Sequence, residues 1–301
     1  MSILAIDIGG TNIKYALVNR DGGLNQEGRV PTPNAEWDSF LKQILEIVKK
    51  FESHELEGIA LSIPAPVDPV SGTILGDGSM PFLRGRQLKT VLCQSSGLPV
   101  SCENDGNCAA LAEVWKGAAE HSDHMLLMVC GTGIGGALVH QRKIISGHNL
   151  VAGEFGYGIL MANSEGQLSN WSALASTRAL IKSVEQGLGE EIPVPQSGEA
   201  VFELEAQGNP VAVKAVDNFY RYNAIGLLNL QYIYDPELIL LGGAISERPD
   251  FIQRIEQKLD EIFGEVEHGP IRPNLKRCQF LNKANLVGAA YHFISSRDKE
   301  A

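Results

Sequence analysis

Three glycine-bearing bends each follow a short apolar run: Gly9-Gly10-Thr11, Gly131-Thr132-Gly133-Ile134-Gly135-Gly136 and Gly242-Gly243-Ala244. Glycine lets a backbone approach a phosphate closely and aim its N–H groups at it. Thr11 and Thr132 add hydroxyl donors, Lys14 adds a positive charge, and Asp7 offers a carboxylate able to hold a magnesium ion through water. Any one of these bends is as readily a plain hairpin turn. Three in one chain, two of them bearing threonine, point to nucleotide phosphates held in a cleft between two halves. Neither the P-loop pattern nor a GxGxxG-then-helix unit is present, which argues against P-loop and Rossmann chemistry.

A second group is Glu103-Asn104-Asp105, between a short apolar run and a helical one. Phosphoryl transfer onto a hydroxyl needs a carboxylate that orients the hydroxyl and takes its proton. The same residue types also suit a helix N-cap. The two roles are compatible, with Asn104 as the cap and Asp105 as the base. A third group is Gly153-Glu154-Phe155-Gly156-Tyr157. Glu154 is either an acceptor for sugar hydroxyls or a solvated surface charge, and Tyr157 can donate a hydrogen bond or stack on a ring. The seven histidines show no ligand spacing, and Ser62 lies in no nucleophile elbow.

The elements that must position these groups follow from periodicity. Apolar runs at 3–8 and 13–18 flank the first bend and predict a hairpin, with a third strand at 27–30. Helical spacing predicts helices over 37–51, 86–96, 104–117, 173–186, 211–234, 249–263 and 285–296. Strands are predicted at 59–63, 100–102, 125–129, 137–140 and 238–241, with loops over 68–84, 163–170 and 189–198. Strand, glycine bend, strand occurs at both 3–18 and 125–140, the mark of an internally duplicated nucleotide-binding unit. Strands alternating with helices imply an α/β fold with two mixed sheets.

Bulk properties narrow the class. With 301 residues, 44% hydrophobic and 20% charged, the chain is globular and long enough for two domains. A net charge of −11 without a basic cluster disfavours a nucleic-acid partner. The five cysteines include no CxxC pair, so neither a disulfide framework nor a four-cysteine zinc site is expected. No apolar run reaches a membrane span and no signal peptide is evident, so a cytoplasmic location is expected.

Together these segments resemble the ROK family of bacterial sugar kinases and repressors, within the actin-like ATPase superfamily. The resemblance runs from end to end. Residues 7–14 resemble its first phosphate segment and Gly131–Gly136 its second. Residues 103–110 resemble the segment carrying the catalytic base, and 241–244 the one beside the adenosine. It implies an actin-like (ribonuclease H-like) fold of two α/β domains with mixed sheets around a central cleft. The expected boundaries are 1–118 for a small domain, to which a helix at 286–301 returns, and 119–285 for a larger one. It further implies ATP and magnesium as cofactors, a sugar as substrate and a homodimer. The phosphate side falls to Asp7, Gly9, Gly10, Thr11, Asn12, Lys14, Gly131, Thr132, Gly133, Gly242, Gly243 and Ala244. The sugar side falls to Asn104, Asp105, Glu154, Tyr157 and Ser79, with Ser62, Ala65 and Gly78 nearby. The repressor branch carries a DNA-binding segment ahead of the first phosphate strand; here that strand starts at residue 3, so the kinase branch is expected.

The chain departs from the family pattern twice. Most members carry a cysteine-rich zinc segment after Gly-Glu-x-Gly-His, but no cysteine lies between Gly158 and Gln196, so no zinc is expected. The motif also ends in Tyr157 where histidine is usual. Both features resemble the β-glucoside kinases, which phosphorylate the 6-hydroxyl of the non-reducing glucose in disaccharides such as cellobiose and gentiobiose. Alternatives are a monosaccharide kinase, acting on glucose or N-acetylmannosamine, a non-catalytic sugar sensor, or an actin-like filament protein.

Overall fold

The computed structural model describes residues 2–33, 36–76, 80–188, 195–267 and 269–297. The strands are β1 (Ser2–Ile8), β2 (Asn12–Val18), β3 (Leu24–Pro31), β4 (Leu56–Ile63), β5 (Val100–Asn104), β6 (Met125–Cys130), β7 (Ile134–His140), β8 (Lys143–Ile144), β9 (Ile159–Ala162), β10 (Leu168–Asn170), β11 (Leu238–Gly242) and β12 (Leu275–Arg277). The helices are α1 (Trp37–Lys50), α2 (Leu88–Ser96), α3 (Asp105–Lys116), α4 (Trp171–Ala175), α5 (Thr177–Gly187), α6 (Gly198–Ala206), α7 (Pro210–Tyr234), α8 (Phe251–Glu265) and α9 (Ala284–Arg297). They fall into two compact units. The first comprises Met1–His121, Leu138–Ala152 and Gln279–Ala301, and the second Ser122–Ala137 and Gly153–Cys278. The segment Leu138–Ala152 thus groups with the first unit, although the sequence reading assigned it to the larger domain.

The first unit is built on a five-stranded mixed sheet of order β3-β2-β1-β4-β5, with β1–β3 antiparallel and β4 and β5 parallel to β1. The apolar run of β1 is continuous because both of its faces are covered. Leu4, Ile6 and Ile8 pack with Phe40 and Ile44 of α1 and Leu88 and Leu92 of α2. Ile3 and Ala5 point the other way, onto Cys108 of α3 and Leu286, Ala289 and Phe293 of α9. Each such side chain contributes about 1.5–3 kcal/mol on burial. On that second face α9 lies directly against the first turn of α3, since a Cβ built on Gly288 would overlap the Cys108 carbonyl.

The second unit centres on β12-β11-β6 and the start of β7, part of a mixed sheet in which β6, β11 and β12 are parallel. Three readings change here. The polar run 163–170 is a turn plus a strand, because Leu168–Asn170 pairs with β9. Asn163 makes the turn, its side-chain oxygen accepting from the amides of Glu165 (3.0 Å) and Gln167 (2.8 Å). The helix predicted over 173–186 is two helices, broken at Ser176. That residue is extended (φ −81°, ψ 165°) and caps α5 by accepting from the Ala179 amide at 3.1 Å. The predicted loop over 189–198 ends in α6; its residues 189–194 lie outside the described ones. No helix among the described residues is long and apolar enough to cross a membrane.

Candidate active site

Each unit carries part of the candidate machinery. In the first, the β1–β2 register sets Asp7 opposite Lys14, and the bend between them is closed by the Gly9 amide donating to the Asn12 carbonyl at 3.1 Å. A Cβ on Gly9 would come within 2.8 Å of that oxygen, so only glycine fits. Thr32 then occupies the carbonyls: its hydroxyl donates to Gly9 O (2.5 Å) and its amide to Thr11 O (2.9 Å). Gly10 and Thr11 remain exposed at the tip, and their amides make no hydrogen bond to other described residues. Gly9, by contrast, shapes the bend rather than presenting a donor.

Asp7 is buried at the end of β1, and its Oδ1 accepts from Ser62 Oγ and from Asn285 Nδ2, each at 2.9 Å. Lys14 Nζ stands 3.8 Å from Oδ2. Among the described residues no group of three or more His, Cys, Asp or Glu side chains is placed to hold a metal ion. Magnesium needs no such cage, since it is commonly held by one or two carboxylates, several waters and substrate phosphates. A single carboxylate pinned on one oxygen fits that requirement.

The chain passes from β5 into α3 between Asn104 and Asp105. Asn104 is the N-cap, its side-chain oxygen accepting from the Asn107 amide at 3.2 Å. Its side-chain nitrogen donates to Asp105 Oδ1 at 3.0 Å, and the Gly106 amide donates to the same oxygen at 2.8 Å. Asn104 Nδ2 also reaches the Ala65 carbonyl at 3.4 Å. Asp105, half-buried as the first residue of α3, is therefore held by its neighbours in a single orientation. Gly78 and Ser79 lie outside the described residues.

In the second unit, the Gly131 amide donates to Gly133 O at 2.9 Å, closing its bend much as Gly9 closes the first. The Gly131 carbonyl accepts from Thr177 N at 2.9 Å, the bond that the break at Ser176 makes available. Thr132 is exposed at the tip. The third bend presses on the second: Gly243 has φ +91°, and a Cβ on it would overlap the Cys130 carbonyl. Beside them lies a cavity of about 610 Å³, walled by Gly131, Thr132 and Ala244 with Thr177, Arg178 and Lys182 of α5, Glu199 and Phe202 of α6, and Arg248. The Arg248 guanidinium sits 3.8 Å from the Phe202 ring centroid, within cation–π range. A cavity of this size suits a small-molecule ligand.

The Glu154 loop docks on β7 through glycines. Side chains at Gly136, Gly153 or Gly156 would each strike backbone or the Phe155 ring. Glu154 is half-buried, and burial pushes its carboxyl above the usual range. Tyr157 is 76% exposed.

Several residues escaped the sequence reading. Asn285 and His292, both on α9, reach Asp7 and Glu103 from the far end of the chain. Arg178, Lys182 and Arg248 meet at the cavity from α5 and the segment after β11. Spacing along α5 places Arg178 and Lys182 on one face, which was a signal available in advance. Asn285 and His292 carried none, because their partners are set by the fold alone.

The family model described as ROK family matches residues 3–295. The β-glucoside kinase of Klebsiella pneumoniae is 35% identical over 296 residues, covering 97% of this chain and 96% of that protein. The β-glucoside kinase of Listeria innocua is 32% identical over 303 residues, covering 99% of each. A crystal structure of a ROK family protein from Streptococcus pneumoniae, in complex with sucrose, superposes with a TM-score of 0.89 at 33% identity, covering 99% of this chain and all of that one. The two mixed sheets are those of the actin-like ATPase fold that such proteins share. On a full-length family match and near-complete coverage by relatives above 30% identity, the chain belongs to the ROK family.

Proposed function

We propose that this protein is an ATP-dependent sugar kinase that phosphorylates the 6-hydroxyl of a glucosyl unit, with a β-glucoside such as cellobiose or gentiobiose as its substrate. The observation that carries the kinase reading is the carboxylate of Asp105, oriented at the start of α3 by Asn104 and Gly106. The β-glucoside assignment draws on the full-length relatives bearing that name and on Tyr157 in the sugar loop.

In the proposed reaction the sugar 6-hydroxyl donates its proton to Asp105 as its oxygen bonds to the terminal phosphorus of ATP, and the bridging P–O bond breaks to release ADP. The amides of Gly10, Thr11, Thr132 and Gly133, the two threonine hydroxyls and Lys14 bind the phosphates and offset their charge. Magnesium, bound by the phosphates and through water by Asp7, would neutralise charge that develops on the transferring group. Asn104, Glu154 and Tyr157 hold the sugar, and the cavity beside Ala244 takes the adenosine.

A coupled ADP-release assay over cellobiose, gentiobiose, glucose, N-acetylglucosamine and N-acetylmannosamine tests this reading. Turnover highest in kcat/KM on a β-linked disaccharide supports it. A strong preference for glucose would make the protein a monosaccharide kinase, and sugar binding without ADP release would make it a sensor.

A further inference from the structure

Glu103 is the residue before the cap, at the end of β5. It is 4% accessible, yet it carries a carboxylate with several partners. Its Oε1 accepts from the Asn104 amide at 2.7 Å and from Asn107 Nδ2 at 2.9 Å. Its Oε2 faces His292 Nδ1 of α9 at 3.9 Å. Of the two residues it grips, Asn104 bonds Asp105 and Asn107 bonds Asn104. Asn107 donates its backbone amide to the Asn104 side chain, and that side chain donates to Asp105 Oδ1. A hydrogen-bond sequence therefore runs from Glu103 through Asn107 to Asn104 and Asp105, with His292 of α9 near the other Glu103 oxygen.

From this chain of contacts we infer that Glu103 is a positioning residue: its carboxyl group clamps Asn104 and Asn107 so that Asp105 stays aimed at the acceptor hydroxyl. The inference rests on Asp105 being the base. An apolar side chain would fill the same volume with less cost, because burying a charge is expensive unless hydrogen bonds compensate. Here two donors, and the amide end of α3 just beyond, supply part of that compensation. Burial nevertheless raises the Glu103 carboxyl above its ordinary range. The folded state thus holds this proton more tightly than the unfolded chain, and stability falls as pH climbs through that raised value.

This yields a readout that a purely structural residue would not give. Glu103→Gln keeps the size and one accepting oxygen but removes the charge. At neutral pH its Tm is expected to equal or exceed that of the parent. Its kcat is expected to fall about tenfold, the cost of about 1.4 kcal/mol of transition-state stabilisation. KM for ATP should stay within about twofold, because the adenosine cavity is built from other elements. Asn107→Ala, which removes the other end of the clamp, should show the same split. Glu103→Ala should lose more kcat than Glu103→Gln, so that the conservative change acts as a partial rescue. The inference is overturned if Glu103→Gln folds with kcat within twofold of the parent. It is equally overturned if the loss appears as a lower Tm and a raised KM for ATP, or if neither Glu103→Gln nor Asn107→Ala folds. Asp105→Asn measured beside them separates the two levels of the argument. If that variant is inactive while Glu103→Gln is unimpaired, only the positioning role fails. If Asp105→Asn turns over normally, the base assignment itself fails.

Discussion

Replacing Gly288 by alanine would push α9 away from the start of α3. Gly288 lies in the middle of α9, where a methyl group would overlap the Cys108 carbonyl in the first turns of α3. Carbon–oxygen contacts settle at about 3.3 Å, so relief requires the helices to part by on the order of 1 Å. Two stability terms then oppose each other. Alanine in a helix interior gains about 1 kcal/mol over glycine, while overpacking costs typically about 1–3 kcal/mol. The net loss of about 0–2 kcal/mol leaves the fold intact. Geometry suffers more: α3 begins with Asp105, and a shift of about 1 Å in a reacting group can lower the rate about 100-fold. Gly288→Ala should therefore lower kcat by tens-fold or more, with KM for ATP unchanged and only a small change in Tm. Steady-state kinetics by coupled ADP release, with thermal unfolding alongside, read both quantities. A variant with parental kcat would refute the claim that α9 sets the position of the base. A large fall in Tm with parental kcat would show that the contact serves stability alone.

Two further outcomes follow from the sugar loop. Tyr157→Ala removes an exposed ring whose stacking on a sugar is worth about 0.5–1.5 kcal/mol, so KM for cellobiose should rise about 2- to 10-fold while KM for ATP holds; parallel rises in both would contradict a sugar-side role. Burial raises the Glu154 carboxyl, and the anion is the form that accepts from sugar hydroxyls, so KM for the sugar should climb as pH falls through that raised value, before an ordinary carboxylate near about 4.3 would respond. In Glu154→Gln that acid-side rise should vanish, and its persistence there would rule out Glu154 as the titrating group.

Those parts of the fold that depend on local pattern were readable in the sequence. The apolar runs on either side of the Gly9 bend announced a hairpin, and β1 pairs antiparallel with β2 as expected. The Gly9 bend was legible because glycine after an apolar strand has few other uses. The N-cap at Asn104 was legible because its side chain bonds three residues ahead. What failed depended on distant partners. Ser176 sits within perfectly helical spacing, and the break there goes with a bond from Thr177 to Gly131, far back in the chain. The strand β10 is three residues long and takes its conformation from β9. Glu103 bonds only one and four residues ahead, but the His292 that faces its other oxygen arrives with α9 from the far end of the chain. Composition excluded classes of partner but said nothing of the sugar; that came from relatives and from the loop around Tyr157.

The central claim concerns Asp105, and one substitution tests it most directly. Asp105→Asn keeps the size of the side chain and an oxygen able to accept from Asn104 and Gly106, but it cannot take the hydroxyl proton. Turnover of the preferred sugar should fall by about 10²- to 10⁴-fold, the usual contribution of a general base, while nucleotide affinity measured by titration stays within a few-fold. Undiminished phosphorylation of the sugar by that variant would contradict the account.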